Sequence, residues 1–355
     1  MYKFLFLFLL LLTAVLLFPV SIFSENISIQ QKNYLSFALA LYPPNHKGYE
    51  TEGFAPVDFE KIDGSELNDK YPGTVDGDAR DLGTTGVEFK ATYTHEIKIP
   101  FLKGDSSLTN GNNATVKLKG EFSPISVNGV ADFTLTPIAF LNINCGSSLG
   151  TGWTALGIIG LGENSYEEDE IKSQPFSGIV TKNWTGVTFQ FDLGALIPGD
   201  WTHVVFVANQ QIEYKYYSAA DDDTPWEYEA SGGENFNGFR WNQTYFLGYM
   251  MPTKPFYIDT VGFITETEQR ITKKNDSKMS EGGWGSDFMK INFGPLVNFK
   301  FTKTSWFTVL VQFKTAPDYT DETTGNAHFM KRQVDTDSDT YLYFNRIAFS
   351  MGIEI

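Results

Sequence analysis

Tyr341-Leu-Tyr-Phe-Asn-Arg-Ile-Ala-Phe-Ser-Met-Gly-Ile-Glu-Ile355 ends the chain and carries a period of two. Ile347, Phe349, Met351, Ile353 and Ile355 fall on one parity, with Tyr341, Tyr343 and Asn345 preceding them. Leu342, Phe344, Arg346, Ala348, Ser350, Gly352 and Glu354 fall on the other. Strand side chains alternate between faces, so the second half reads as a strand with one apolar and one small or charged face. Soluble strands typically run about 5–6 residues. Crossing a bilayer at a tilt takes about 9–11, and this segment is long enough for that.

The pattern recurs upstream. In Val87–Ile99, Val87, Phe89, Ala91, Tyr93, Ile97 and Ile99 oppose Glu88, Lys90, Thr92, Thr94, Glu96 and Lys98. Ala114–Phe122, Met289–Phe301 and Phe307–Phe313 alternate in the same way. Weaker versions occupy Leu35–Leu41, Asp132–Cys145, Thr151–Leu161, Val180–Leu193, Thr202–Tyr217, Phe239–Met251 and Phe256–Ile264. The sum is about twelve antiparallel strands, in a range of roughly 10–14. Connections alternate in length back from the C-terminus, with long segments at Asp318–Asp339, Thr267–Asp287 and Ala219–Asn237. Short ones lie at Thr302–Ser305, Pro252–Pro255 and Gly194–Asp200. Further back Pro43–Gly86 and Gly162–Ser177 are long, but so is Gly104–Asn113 on the supposed short side. Short periplasmic turns opposite long extracellular loops mark a transmembrane barrel. A soluble sandwich or jelly roll also alternates, but needs neither that asymmetry nor strands of this length.

Composition agrees. Aromatic residues make up 15% of the 355 residues, while mean hydropathy is only −0.21. That combination excludes a polytopic helical membrane protein and suits strands apolar on one face. The net charge of −16 argues against nucleic acid as a partner, because phosphate binding needs basic surface. A single cysteine excludes an intrachain disulfide framework.

At the N-terminus, Lys3 precedes an apolar run from Phe4 to Phe18, then Pro19 and a more polar segment. This reads as a secretory signal over residues 1–24, with cleavage after Ser24 and one barrel domain over 25–355. An uncleaved anchor is the competing reading, and its run is near the lower limit for a span. No later segment approaches the roughly 20 apolar residues of a helical span.

Tyr214, Tyr216, Trp241, Tyr341 and Tyr343 sit on the apolar parity near the loop ends of their strands, and Tyr249 near the opposite end. Tyr and Trp favour a membrane interface, where the ring is buried and its polar atom stays wet. With this pattern the signal segment and most of the remaining chain resemble bacterial outer-membrane β-barrel proteins. Thr136-Pro-Ile-Ala-Phe-Leu141, followed by Gly150-Thr-Gly-Trp153, is similar to segments of uncharacterised spirochaetal barrels. The resemblance implies outer-membrane lipids as surroundings and insertion machinery that reads the C-terminal strand. Such barrels usually end in Phe or Trp, whereas this chain ends in Ile355.

Sorting charges by parity places Lys90, Lys98, Lys117, Lys119, Lys215, Arg240, Lys290, Lys300, Lys314 and Arg346 inside. Glu88, Glu96, Glu121, Asp132, Asp192, Glu213, Asp259 and Glu354 join them. A charge is expensive against lipid and tolerable in a lumen. The net acidity then falls to the loops Glu163–Glu170, Asp221–Glu229 and Asp335–Asp339. Two functions follow. One is a passive or weakly selective pore for small hydrophilic solutes, made mildly anion-attracting by Lys90, Lys98, Lys117, Lys119, Arg240, Lys300, Lys314 and Arg346. The other is a plugged barrel whose cross-lumen ion pairs fill it and whose acidic loops serve adhesion or ligand binding.

No enzymatic signature emerges. There is no Gly-x-Ser-x-Gly elbow, and His95 and Glu96 point to opposite strand faces. His46 and His328 fall in loops and His203 starts a strand. Asp335-Thr-Asp-Ser-Asp339 and Asp76-Gly-Asp78 are carboxylate clusters. The first has no glycine at position six and Arg346 at position twelve, which excludes an EF-hand. Solvated acidic loops are the plainer reading, and no cofactor or metal is expected. Cys145 reads as a small apolar residue. The glycines around Trp153 mark close strand approach rather than phosphate binding, since no helix N-terminus follows.

Overall fold

The computed structural model describes residues 29–42, 57–58, 84–155, 158–167, 170–175, 177–221, 224–229, 235–273, 278–281, 283, 285–317, 334–337 and 340–355. Residues 1–24, read above as a secretory signal, and His46, the Asp76–Asp78 cluster and His328 lie outside them. Twelve long strands form one antiparallel sheet. They are β1 (Gln30–Tyr42), β2 (Thr84–Pro100), β3 (Asn113–Ser123), β4 (Ser126–Ile138), β5 (Leu141–Gly152) and β6 (Val180–Asp192). The sequence continues with β7 (Val204–Tyr217), β8 (Gly238–Met250), β9 (Ile258–Ile271), β10 (Lys290–Lys300), β11 (Ser305–Ala316) and β12 (Tyr341–Glu354). Each pairs with its chain neighbours, and β12 pairs with β1. The sheet is therefore a closed barrel, which leaves no unpaired edge. No helix among the described residues is long and apolar enough to cross a membrane.

Long connections follow β1, β5, β7, β9 and β11, and the two-residue turn after β3 shares their end. The opposite end carries the links after β2, β4, β6, β8 and β10, together with both strand termini of the barrel. Large apolar side chains cover the exterior. Leu39, Tyr93, Leu118, Val187, Phe206, Leu247, Phe263, Met351 and Ile353 are all exposed. Directly opposed residues share a face, so Phe37 with Met351 and Ala91, or Phe293 with Phe313, carry that apolar surface around the wall. Tyr214 and Trp241 lie on it toward the long-loop end, and Trp201 and Tyr257 are exposed at the short-turn end.

The number of strands matches the sequence reading, but two segments divide differently. Asp132–Cys145 is not one strand. It spans the end of β4, a turn at Ala139–Phe140 and the start of β5. Thr151–Leu161 is not a barrel strand. Beyond Gly152 the chain leaves the wall and makes a short pairing of Thr154–Ala155 with Ile158–Ile159. There Gly160 donates its backbone N–H to Trp153 O at 3.2 Å, and a Cβ on Gly160 would fall 2.1 Å from Ile125 O. The close approach expected of these glycines is present.

β12 also departs from simple alternation. Its pairing with β11 shifts between Gln312 and Phe313, where Gln312 faces Arg346 and Phe313 faces Phe344. A bulge inserts one residue and reverses the parity beyond it. Tyr343 and Asn345 are accordingly buried, and Asn345 Nδ2 donates to Asn292 Oδ1 on β10 at 3.4 Å. Leu342 is the exposed neighbour instead. The placement of Tyr343 and Asn345 on the apolar exterior is thus corrected.

Candidate functional site

The lumen face is marked by side-chain contacts between adjacent strands and, in two cases, over an intervening strand. Gln312 on β11 donates Nε2 to Glu266 Oε2 on β9 at 2.6 Å. Arg346 on β12 donates Nε to Gln312 Oε1 at 2.5 Å and Nη1 to Tyr42 OH on β1 at 3.0 Å. Its Nη1 also lies 4.0 Å from Glu88 on β2. Gln312 is fully buried and Lys314 nearly so. A buried charge is tolerable when paired and hydrogen-bonded, and this side of the wall supplies those partners.

The register sets the other sequence-selected cations on the same face. Lys117 pairs with Glu96 at 3.3 Å, and Lys90 with Glu121 at 3.5 Å. Arg240 pairs with Glu268. Lys98 and Lys119 follow the parity of Glu96 and Glu121 on their strands, and neither makes an ion pair among the described residues. Lys300 lies at the short-turn end, opposite Trp306. Arg240, Arg346 and Lys90 therefore belong to networks, while Lys98 and Lys119 line the wall separately.

Four contributors escaped the sequence reading. Lys182 is on the lumen side of β6, opposite Lys215 and Ser148. Glu268 falls in the connection read as Thr267–Asp287 and Glu266 just beyond the strand read as Phe256–Ile264, but β9 continues to Ile271. The fourth is Glu229. The segment Asp221–Glu229 reads as an acidic extracellular loop, but among its described residues Trp226, Glu227 and Tyr228 are all buried.

Those three residues form a strand against Leu161–Glu163, and Leu161–Glu167 pairs in turn with Glu170–Pro175. The three-stranded unit, called the lid below, is formed by the connections at the long-loop end of the barrel. Its Leu161, Trp226 and Tyr228 pack with Val180, Tyr217 and Ala220 as one apolar cluster. The Trp226 and Tyr217 rings meet at 5.4 Å, and Lys215 Nζ lies 5.3 Å over the Trp226 ring. Lys215 also donates to Asn235 of the same loop.

Glu229 latches the lid to the wall. Its Oε1 accepts from Ser126 Oγ at 2.9 Å and Asn128 Nδ2 at 2.6 Å, both on β4. Its Oε2 lies 3.3 Å from Lys90 Nζ on β2 and 4.0 Å from Lys182 Nζ on β6. Tyr228 OH donates to Asn128 Oδ1 at 2.6 Å. Glu229 has φ of 54°, a conformation costly for a non-glycine residue. The carboxylate's four partners hold it there. Burial alone would raise the Glu229 carboxyl, but Lys90, Lys182 and the two hydrogen bonds lower it to about 2. Glu227 has no such partners among the described residues, and burial pushes it up to about 7.

No group of three or more His, Cys, Asp or Glu suited to a metal occurs among the described residues. His95 Nδ1 lies 2.8 Å from Asn33 Oδ1 on the exterior, while Glu96 faces Lys117 inside. His203 Nδ1 lies 2.8 Å from Asp192 Oδ2 at the short-turn end. Asp335 Oδ1 accepts from the backbone N–H of Asp337 at 3.0 Å, a local turn contact.

No family model matches the chain, and no curated protein matches it. Among solved structures it is similar to the outer membrane channel DcaP of Acinetobacter baumannii, at 9% identity over 94% of this chain and 99% of that one, with a TM-score of 0.36. The outer-membrane expressed OmpT of Vibrio cholerae matches at 9% identity over 94% and 98%, with a TM-score of 0.33. A mutant of Rh. blastica porin matches at 8% identity over 92% and 100%, with a TM-score of 0.26.

Proposed function

We propose that this chain is an outer-membrane pore for small hydrophilic solutes, passive or weakly selective, whose mouth is narrowed by its own loops. One observation carries the reading: a closed barrel with an exposed apolar exterior and charged, hydrogen-bonded residues on its inner wall. Such a surface is stable where lipid covers the outside and water reaches the inside. The exposed Trp201 and Tyr257 at one end and Tyr214 and Trp241 toward the other suit the two membrane interfaces. Export by cleavage of residues 1–24, insertion through the C-terminal strand and long loops facing outward belong to the same reading.

Lys98, Lys117, Lys119 and Lys300 would tune the field along the wall, with Lys90, Arg240, Lys314 and Arg346 nearer the lid or within the polar networks. Lumen charge acts by changing local ion concentration. A second reading is favoured by the Glu229 latch: the lid closes the barrel, and the protein displays loops instead of conducting. Planar-bilayer conductance of the folded protein under unequal salt separates the two. Discrete current steps support a pore. Silence from protein shown to be folded overturns it and leaves the displayed loops as the function.

A further inference from the structure

The exterior is not uniformly apolar. At the middle of β7 and β8, Gln210 and Gln243 stand directly opposite one another, and Thr267 on β9 opposes Gln243. Gln210 is the seventh of fourteen residues in β7, and Gln243 the sixth of thirteen in β8. Their row shares its face with exposed Phe206, Ile212, Trp241 and Leu247, and so lies on the outside. Toward the long-loop end the polar surface continues to Asn183 on β6, whose Oδ1 accepts from Ser147 Oγ on β5 at 2.9 Å. On the other side of the barrel, Phe37, Leu118, Val309 and Phe349 hold the corresponding outer positions.

Part of this polarity is satisfied locally. Trp241 Nε1 donates to Gln210 Oε1 at 3.1 Å, Gln210 Nε2 donates to Tyr245 OH at 2.9 Å, and Tyr245 OH donates to Gln243 Oε1 at 3.3 Å. The network ends there. Gln243 Nε2, with two N–H donors, has no partner among the described residues, and Thr267 Oγ1 is buried without one. Unpaired amides facing hydrocarbon are costly, since no water can compensate them. His95, an exterior polar group on the far side, is bonded to Asn33.

We propose that the β5–β9 face, centred on Gln210 and Gln243, is an interface with a second copy of this chain. The inference requires the exterior to lie in the bilayer, but holds whether or not the lumen conducts. Depth selects the occupant. Copies inserted with one topology present this row at the same height, so a two-fold axis along the membrane normal brings Gln243 to its own counterpart. A glutamine amide carries both donor and acceptor and is complementary to itself. The row bears no charge, so a partner of opposite charge is not called for. Ala208 and Ser147 on the same face are small enough to let two walls approach.

The test uses the full barrel folded into phosphatidylcholine–phosphatidylglycerol vesicles, first shown to stay with the vesicles after a carbonate wash. Gln243→Cys and, on the far side, Phe37→Cys are each placed in a Cys145→Ser background and oxidised with diamide. Gln243→Cys is expected to give roughly tenfold more covalent dimer than Phe37→Cys, as a facing polar pair should. Gln210→Leu with Gln243→Leu should remain a folded, heat-modifiable barrel yet sediment as a monomer. Equal crosslinking at the two positions, or unchanged assembly in the double leucine variant, overturns the interface. A crosslink in native membranes to a protein of another mass overturns the second copy as occupant. Release from the vesicles by carbonate overturns the bilayer reading on which it rests.

Discussion

The Glu229 carboxylate lies 3.3 Å from the Lys90 ammonium, joining the β7–β8 loop to the inner wall of β2. The same carboxylate accepts hydrogen bonds from β4 and faces Lys182 on β6. One side chain thus fastens the lid to three strands. Removing one partner of a largely buried pair leaves the others uncompensated.

Glu229→Gln should therefore loosen the lid while leaving the barrel intact. Losing charge-assisted hydrogen bonds weakens docking by on the order of 2 kcal/mol. It also leaves Lys90 and Lys182 without their shared carboxylate. Single-channel recording should show a larger or more persistent current, with the reversal potential moved toward anions. An unchanged current and potential would show that the lid does not limit passage.

The lid should also respond to pH, through Glu227. Burial raises this carboxyl from 4.5 to about 7. A carboxyl raised in the docked state favours docking most below its free value. That contribution is lost as pH rises through about 7, and amounts to on the order of 3 kcal/mol. Glu229 has the opposite sign: its contribution is present above 4.5 and disappears as pH falls through about 2. Between 4.5 and 7 the lid is expected to loosen as pH rises. Open probability should be higher near pH 8 than near pH 5, and Glu227→Gln should flatten the profile. A wild-type profile that is already flat would exclude Glu227 as its source.

How far the sequence carries differs by region. Ile347–Glu354 reads correctly because its alternation is unbroken and its partners Val309 and Phe307 repeat it. Tyr343 and Asn345 read wrongly because the bulge opposite Gln312 is fixed by pairing between strands. The β4–β5 turn passes through Ala139 and Phe140, neither of them a turn-forming residue, so two strands read as one. In β9, Thr265 to Arg270 is polar on both faces and carries no period to detect. Glu229 was the least visible. Nothing in an acidic loop sequence says which carboxylate turns inward, because Lys90 and Ser126 come from distant parts of the chain. Trp226 and Tyr228, aromatic residues flanking a glutamate, were the available local sign of burial.

The lumen wall gives a direct test of charge. Lys117 faces Glu96 at 3.3 Å, whereas Lys119 makes no ion pair among the described residues. Lys117→Glu with Lys119→Glu replaces two cations and sets a carboxylate against Glu96. The reversal potential under unequal salt should move toward cations, and more steeply at low ionic strength, where the field is less screened. Should the double variant fold and conduct with an unchanged potential, these residues do not face the conducting path.

Gly146 supplies a test of width in place of charge. A Cβ there would lie 2.2 Å from Trp184 Cζ2 and 2.8 Å from Ala131 O. The Trp184 ring lies flat on the wall because Gly146, directly opposite it on β5, has no side chain. Gly146→Ala must lift the ring toward the lumen or spread the strands. Overpacking of this kind typically costs about 1–3 kcal/mol, so the barrel should unfold at a lower denaturant concentration. Where it folds, conductance should fall. Adding Trp184→Ala to Gly146→Ala removes the displaced ring and should restore or exceed the original current. Recovery assigns the loss to the ring. A current that stays low in the double variant assigns it to distortion of β5, and Trp184 then has no part in setting the width of the path.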